Sequence, residues 1–142
     1  MKKTILLLAA VVILFTGSTK AVVFASETVA TVHWKISNLT DMHNHSMNLE
    51  MPILAMDVDF GKTFLHVYGA FSSEDGLKAS IASGTGAFYQ GSESEIWIDV
   101  RSNAKLYKLK LKADTLSGTC AIYDHAGSIE ALGSIDLISV YQ

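Results

Sequence analysis

Side chains that could bind a soft metal ion are concentrated in one short segment of the sequence. Met42, His43, His45, Met47 and Met51 lie within ten residues of one another. Thioether sulfur and imidazole nitrogen are ligands that suit copper. In a strand, His43, His45, Met47 and Met51 would share a face, and in a helix His43, Met47 and Met51 would line up. The segment therefore predicts a soft-metal site, with copper as the metal.

The same segment has a second interpretation that requires no metal. Met47 and Met51 are suited to fill a hydrophobic core at the start of a strand, while His43 and His45 lie on a hydrated loop. In composition the segment resembles bacterial periplasmic copper-binding proteins, and this resemblance covers the segment alone. The sequence is compatible with both the metal site and the core-packing interpretation.

No pattern in the sequence brings catalytic groups together at a spacing typical of an enzyme. The chain lacks a Gly-x-Ser-x-Gly nucleophile elbow and a glycine-rich phosphate loop before a helix. Asp57 and Asp59 would share a strand face, where a hydrated outer surface is the simpler interpretation than acid–base or calcium chemistry. Cys120 lies among alternating apolar residues, which favours a buried thiol. We therefore expect a binding protein and not an enzyme.

The first 25 residues have the organisation of a secretory leader. Lys2 and Lys3 precede an apolar stretch from residue 5 to 15, and Val23 and Ala25 suit the positions that a signal peptidase recognises. Eleven apolar residues are too short for a membrane-spanning helix. We expect cleavage after Ala25 and export to the periplasm or the medium, which leaves residues 26–142 as a single domain without a transmembrane anchor.

The charge of the mature chain is acidic and unevenly distributed. Residues 26–142 hold eight basic and fourteen acidic side chains, a net charge of −6. Residues 26–100 hold three basic and ten acidic side chains, whereas residues 101–142 hold five basic and four acidic ones. An acidic chain of this kind disfavours nucleic acid as a partner.

Alternation of apolar and polar residues with a period of two dominates the mature chain and predicts the fold class. It recurs in residues 32–36, 56–60, 64–71, 95–101, 107–112 and 129–137, with turn-forming residues between these segments. The connections are too short for crossover helices. We predict an all-β domain, a small antiparallel up-and-down barrel of about eight strands. A two-sheet β-sandwich is the alternative.

An internal repeat supports a meander of similar units. Residues 77–89 align with residues 111–123 at an offset of 34, and eight of thirteen positions are identical. The repeat predicts a tight turn or a strand bend at Gly84 and Gly118. The stretch from Gly84 to Phe88 also resembles the Gly-Thr-Gly-x-Phe turn of dirigent and allene oxide cyclase-like barrels, over these five residues and without implying their activity.

A barrel with many aromatic residues suggests an alternative to metal binding. Several aromatic side chains must point inward in a closed barrel, and an incompletely filled interior would hold a small apolar ligand, as lipocalin-like barrels do. A module that binds a partner protein through its mouth or its acidic face is a further possibility. The ligand is therefore expected to be a metal ion, a small apolar molecule or a partner protein.

The leader yields the first testable prediction. When the full chain is produced in a bacterium with a signal peptidase, we expect an exported protein that starts at Ser26, because the small residues at 23 and 25 direct cleavage there. The intact mass of the exported protein measures this. A chain that keeps Met1 and stays in the cytosol would contradict the prediction.

Overall fold

The computed structural model describes residues 29–89 and 94–141, and the predicted leader at 1–25 lies outside the described residues. All regular structure in the described residues is β-strand. The nine strands are β1 (Val29–Asp41), β2 (Ser46–Met47), β3 (Ile53–Asp59), β4 (Phe64–Ser72), β5 (Ala79–Tyr89), β6 (Glu95–Ser102), β7 (Lys105–Lys112), β8 (Gly118–Tyr123) and β9 (Ile129–Tyr141).

The strands form one antiparallel sheet that closes on itself. Each strand from β3 to β8 pairs with the strand that follows it, and β1 pairs with β3 on one side and β9 on the other. The two-residue strand β2 pairs only with the end of β1, where Leu39 faces Met47. The predicted eight-strand meander barrel is thus confirmed, with one short extra strand, and the β-sandwich alternative is not adopted.

The interior of the barrel is packed with apolar side chains, as the period-two pattern predicts. In β6, for example, Ile96, Ile98 and Val100 are buried while the residues between them are not. Twenty-four buried apolar residues, drawn from all eight barrel strands and the loop after β7, form one core cluster. Burial of this set supplies the main stabilisation of the fold, at about 25 cal/mol for each Å² of apolar surface removed from water.

One polar group inside the core has a specific partner. Trp34 is fully buried, and its Nε1 donates a hydrogen bond of 2.7 Å to the carbonyl oxygen of Leu116 in the loop between β7 and β8. Leu116 has a left-handed φ of 54° and is itself fully buried. The loop therefore folds over one end of the barrel and satisfies the buried indole N–H, which would otherwise cost about 1–3 kcal/mol.

Glycines occur where neighbouring strands leave no room for a side chain. A Cβ added at Gly84 would lie 1.9 Å from the carbonyl oxygen of Asp99, and one added at Gly118 would lie 1.9 Å from that of Lys110. Strand glycines of this kind allow the close backbone approach that a small, strongly curved barrel needs. Both glycines lie in strands, so of the two predicted alternatives, a tight turn or a strand bend, the turn does not occur, and the stretch from Gly84 to Phe88 is an extended part of β5.

The two copies of the repeat differ in the structure of their first halves. Residues 77–83 form a turn and the start of β5, whereas residues 111–117 form the end of β7 and the following loop. The second halves, 84–89 and 118–123, are strands in both copies. The close approach of a neighbouring strand to a glycine, at Gly84 and at Gly118, is therefore shared by the second halves of the two copies.

No helix that could span a membrane occurs in the part of the chain that the structure describes.

The close approach of the Asp99 carbonyl to Gly84 leads to a prediction about stability. We expect Gly84→Ala to lower the free energy of unfolding by about 1–3 kcal/mol, because the added methyl group collides with the Asp99 carbonyl of a paired strand. Urea unfolding of the two proteins measures the difference. Ser83→Ala, at an exposed neighbouring position, is the matched control and should change little. Equal stability of Gly84→Ala and the parent would contradict the prediction.

Candidate binding groove on the outer wall

The Met/His segment begins with a tight turn that Asp41 organises. The Oδ1 atom of Asp41 accepts hydrogen bonds from the backbone N–H groups of His43 (2.8 Å) and His45 (2.9 Å). The bond from His45 is the main cause that lowers the pKa of the Asp41 carboxyl; burial opposes it, and the bond from His43 lowers the pKa further. Asn44, between the two histidines, has a left-handed φ of 65°. This turn leaves both imidazoles in solvent.

Of the five predicted metal ligands, the structure brings three to this turn. The rings of His43 and His45 have centroids 6.3 Å apart, and the thioether of Met42 is exposed beside them. The Oδ2 atom of Asp41 lies 3.5 Å from Nδ1 of His45. Met47 and Met51, in contrast, are partly buried against the core cluster. Within residues 29–89 and 94–141, no group of three or more His, Cys, Asp or Glu side chains surrounds a metal position.

The paired carboxylates lie on the outer face and bond to their neighbours. Asp57 Oδ1 accepts a hydrogen bond of 2.6 Å from the Thr31 hydroxyl, and Asp59 Oδ1 accepts one of 3.0 Å from the backbone N–H of Gly61. The Nζ atom of Lys62 lies 3.8 Å from Asp59 Oδ2. These carboxylates therefore belong to the polar surface of the barrel.

A concavity lies on the outer wall, across β4 to β8. Its volume is about 660 Å³. Two rows of outward-facing residues cross it, each row following the register of the five strands. The first row consists of Phe64, Ala87, Trp97, Lys110 and Thr119. The second consists of His66, Thr85, Asp99, Lys108 and Ala121.

Differences in side-chain size within these rows create the groove. Ala87 and Thr85 are short and stand between larger side chains on β4 and β6. Gly86, which lies between them in the chain, adds no side chain of its own. A closed barrel is convex overall, so a hollow on its wall requires short residues flanked by long ones. We call this hollow the outer groove and define it by the lining residues of the two rows together with Tyr89.

Aromatic rings form one wall of the outer groove. Tyr89 and Trp97 pack with ring centroids 4.9 Å apart and an interplanar angle of 52°. They remain 49% and 45% exposed, and Phe64 is 74% exposed. Trp97 Nε1 donates a hydrogen bond of 3.2 Å to Glu95 Oε1, which holds the indole in place. Exposed aromatic clusters of this kind mark interaction sites more often than isolated apolar residues do.

Charged side chains lie beside the aromatic rings in the groove. The ammonium group of Lys110 lies 5.4 Å from the centroid of the Trp97 ring and 3.7 Å from Glu95 Oε2. Lys108 and Asp99 are cross-strand partners in the next row. A flat apolar molecule could contact the aromatic wall while a polar substituent reaches these groups.

Cys120 borders the groove but contributes no nucleophile. It is buried, as the alternating pattern around it predicts, and burial raises the pKa of its thiol to about 12. A thiol with this pKa is protonated at neutral pH and reacts slowly. No protein-family model, curated protein or solved structure matches the chain.

Sequence reasoning identified the aromatic residues but not the wall they form. Trp97 occupies the polar phase of β6, in step with Glu95 and Asp99, and Phe64 occupies the polar phase of β4. Large aromatic residues in the polar phase are the signal that could have predicted an exposed cluster. That Tyr89, Trp97 and Phe64 line the same groove is a consequence of strand register, which the sequence pattern alone does not determine.

Proposed function

We propose that the protein is a binding protein that holds a small ligand with a flat, apolar body in the outer groove. The observation that carries the proposal is the packed and half-exposed pair of Tyr89 and Trp97 beside the short side chain of Ala87. Such an arrangement offers a flat ligand an aromatic surface on one side and room beside it. Export, supported by the leader-like residues 1–25, is part of the proposal.

The packing of the interior favours a site on the wall over one inside the barrel. Eight-stranded barrels have just enough internal space for side chains or for one small ligand. Here Trp34, Phe71 and Tyr107 contribute large rings to the inside, and Phe71 and Tyr107 have centroids 4.4 Å apart. The aromatic content of the sequence suggests an apolar ligand inside the barrel. Because side chains fill the interior, we propose that this ligand binds in the outer groove.

Contact with the aromatic wall would supply the main favourable contribution to binding, and the loss of translational and rotational freedom would offset part of it. A ligand that covers on the order of 100 Å² of apolar surface there would gain about 2.5 kcal/mol. Aromatic stacking would add about 0.5–1.5 kcal/mol. Trp97 should supply much of this, because its large ring lies on β6, the middle of the five strands that form the groove.

A neutral aromatic probe tests the proposal. We expect N-phenyl-1-naphthylamine to bind the purified protein with one site, observed as enhanced probe fluorescence. Trp97→Ala should weaken this binding about ten-fold, since central aromatic residues dominate binding surfaces.

The matched control for this experiment is Tyr68→Ala. Tyr68 is 65% exposed on β4 but is not among the residues that line the groove. Its substitution should leave the affinity unchanged. Equal loss of binding in both variants, or binding that neither variant affects, would refute the outer groove as the site.

A soft-metal site at Met42, His43 and His45 is the second candidate, and the proximity of the two exposed imidazoles favours it. With centroids 6.3 Å apart, modest side-chain rotations would bring one nitrogen of each ring to a shared ion at bond lengths near 2.0 Å. Met42 could add a thioether. In this proposal Met47 and Met51 support the segment by packing against the core.

Copper titration tests this second candidate. We expect one equivalent of copper to bind the parent protein, and binding to fall at least ten-fold in the His43→Ala/His45→Ala double variant because two ligands are lost. His66→Ala, on the outer wall, is the control and should bind like the parent. Equal and weak uptake by all three proteins would remove the metal site.

A further inference from the structure

The positively charged side chains of the protein fall into two groups. The described residues hold eight Lys and Arg against twelve Asp and Glu. Five of the cations form ion pairs with carboxylates. These pairs are Lys35 with Glu74, Lys62 with Asp59, Lys78 with Glu50, Lys105 with Glu130, and Lys110 with Glu95. Among the described residues the other three, Arg101, Lys108 and Lys112, have no such partner, and all three lie on β6 and β7.

Lys108 occupies the most favourable position of these three for contact with a ligand. It lines the outer groove and also a second concavity of about 400 Å³, which Arg101, Tyr123 and His125 line as well. Its ammonium group lies 5.4 Å from the centroid of the Tyr123 ring. Asp99 is its cross-strand partner, yet the two side chains do not form an ion pair. Lys108 is therefore a cation between two hollows, held over an aromatic face.

The strand that carries Lys108 is richer in cations than the rest of the molecule, and the carboxylates Asp99 and Asp124 border the two concavities as well. Five of the eight described cations lie between residues 101 and 112, whereas the described residues carry a net charge of −4. An anion is repelled by most of this surface and attracted to this wall, where nearby apolar rings reduce its hydration. The acidic overall charge thus restricts anion binding to the part of the surface around Lys108.

We propose that the ligand of the outer groove is an organic anion, with an aromatic body against Trp97 and a carboxylate or sulfonate at Lys108. This inference rests on the proposed function and specifies its ligand class. Arg101 provides a second cation for an anionic group that extends into the neighbouring concavity. Lys110 contributes less to the attraction because Glu95 already compensates its charge.

Two probes with the same ring system separate the contribution of charge from that of shape. 8-Anilinonaphthalene-1-sulfonate has the aromatic body of N-phenyl-1-naphthylamine and carries a sulfonate in addition. We expect the sulfonate probe to bind the protein about five-fold more tightly at low salt, as one exposed charge interaction allows. About 0.3 M NaCl should remove most of this advantage, because salt screens exposed charges.

Substitution at Lys108 tests the assignment of the anionic contact. Lys108→Gln should weaken the sulfonate probe about five-fold and leave the neutral probe within two-fold of the parent, and Lys108→Arg should restore the difference. Lys112→Gln is the matched control, because Lys112 lies on the same strand, also lacks an ion pair among the described residues, and does not line the groove. It should change neither affinity.

The outcomes test separately whether the ligand is an anion and whether it binds in the outer groove. Equal affinities of the two probes, or an unchanged ratio in Lys108→Gln, would overturn the anion assignment while Trp97→Ala still reports on the groove. Loss of the ratio in Lys112→Gln would also overturn it, since the attraction would then be a general property of the strand. Binding of both probes that is insensitive to Trp97→Ala, or failure of both to bind, would overturn the proposed function and this inference with it.

Discussion

The hydrogen-bonded pairing of β1 with β9 is the constraint on which the other features of the molecule depend. It joins the first and last strands of the meander, from Thr31 opposite Tyr141 to Asp41 opposite Ala131, and leaves no open edge in the eight-strand sheet. Closure assigns every strand residue to the inside or the outside. Inward residues pack into one core that includes Trp34. The Trp34 indole donates a hydrogen bond to Leu116, and the loop that contains Leu116 covers one end of the barrel. A barrel packed in this way leaves its outer wall and its loops accessible to other molecules.

Tight closure also accounts for the distribution of short residues. Gly84 and Gly118 lie where a neighbouring strand approaches too closely for a Cβ, so the curvature of the barrel is maintained at the expense of side-chain packing. On the outside, Ala87 and Thr85 create a hollow that a wall of long side chains would not contain. Curvature and groove thus coincide on β5, where Ala82 is the one fully buried residue.

The sequence predicted those features that depend on local pattern. Alternation with a period of two is visible in a single strand, so the strands, the inward residues such as Ile96 and Ile98, and the meander could be anticipated. The groove could not, because it depends on which residues become neighbours across five strands, and register is a property of the closed sheet. The Met/His segment shows the same limit: its composition indicated ligands, but the turn at Asp41 separates His43 and His45 from Met47 and Met51.

The central claim is that a barrel with a packed interior binds its ligand on the outside. The two tryptophans offer the most direct measurement, because Trp34 is buried and hydrogen-bonded inside while Trp97 is half-exposed in the groove. Titration of ¹⁵N-labelled protein with N-phenyl-1-naphthylamine should shift the indole N–H signal of Trp97 and the amide signals of Thr85 and Thr119, and leave the Trp34 indole signal in place. A shift of the Trp34 indole signal without one at Trp97 would place the ligand inside the barrel and contradict the account.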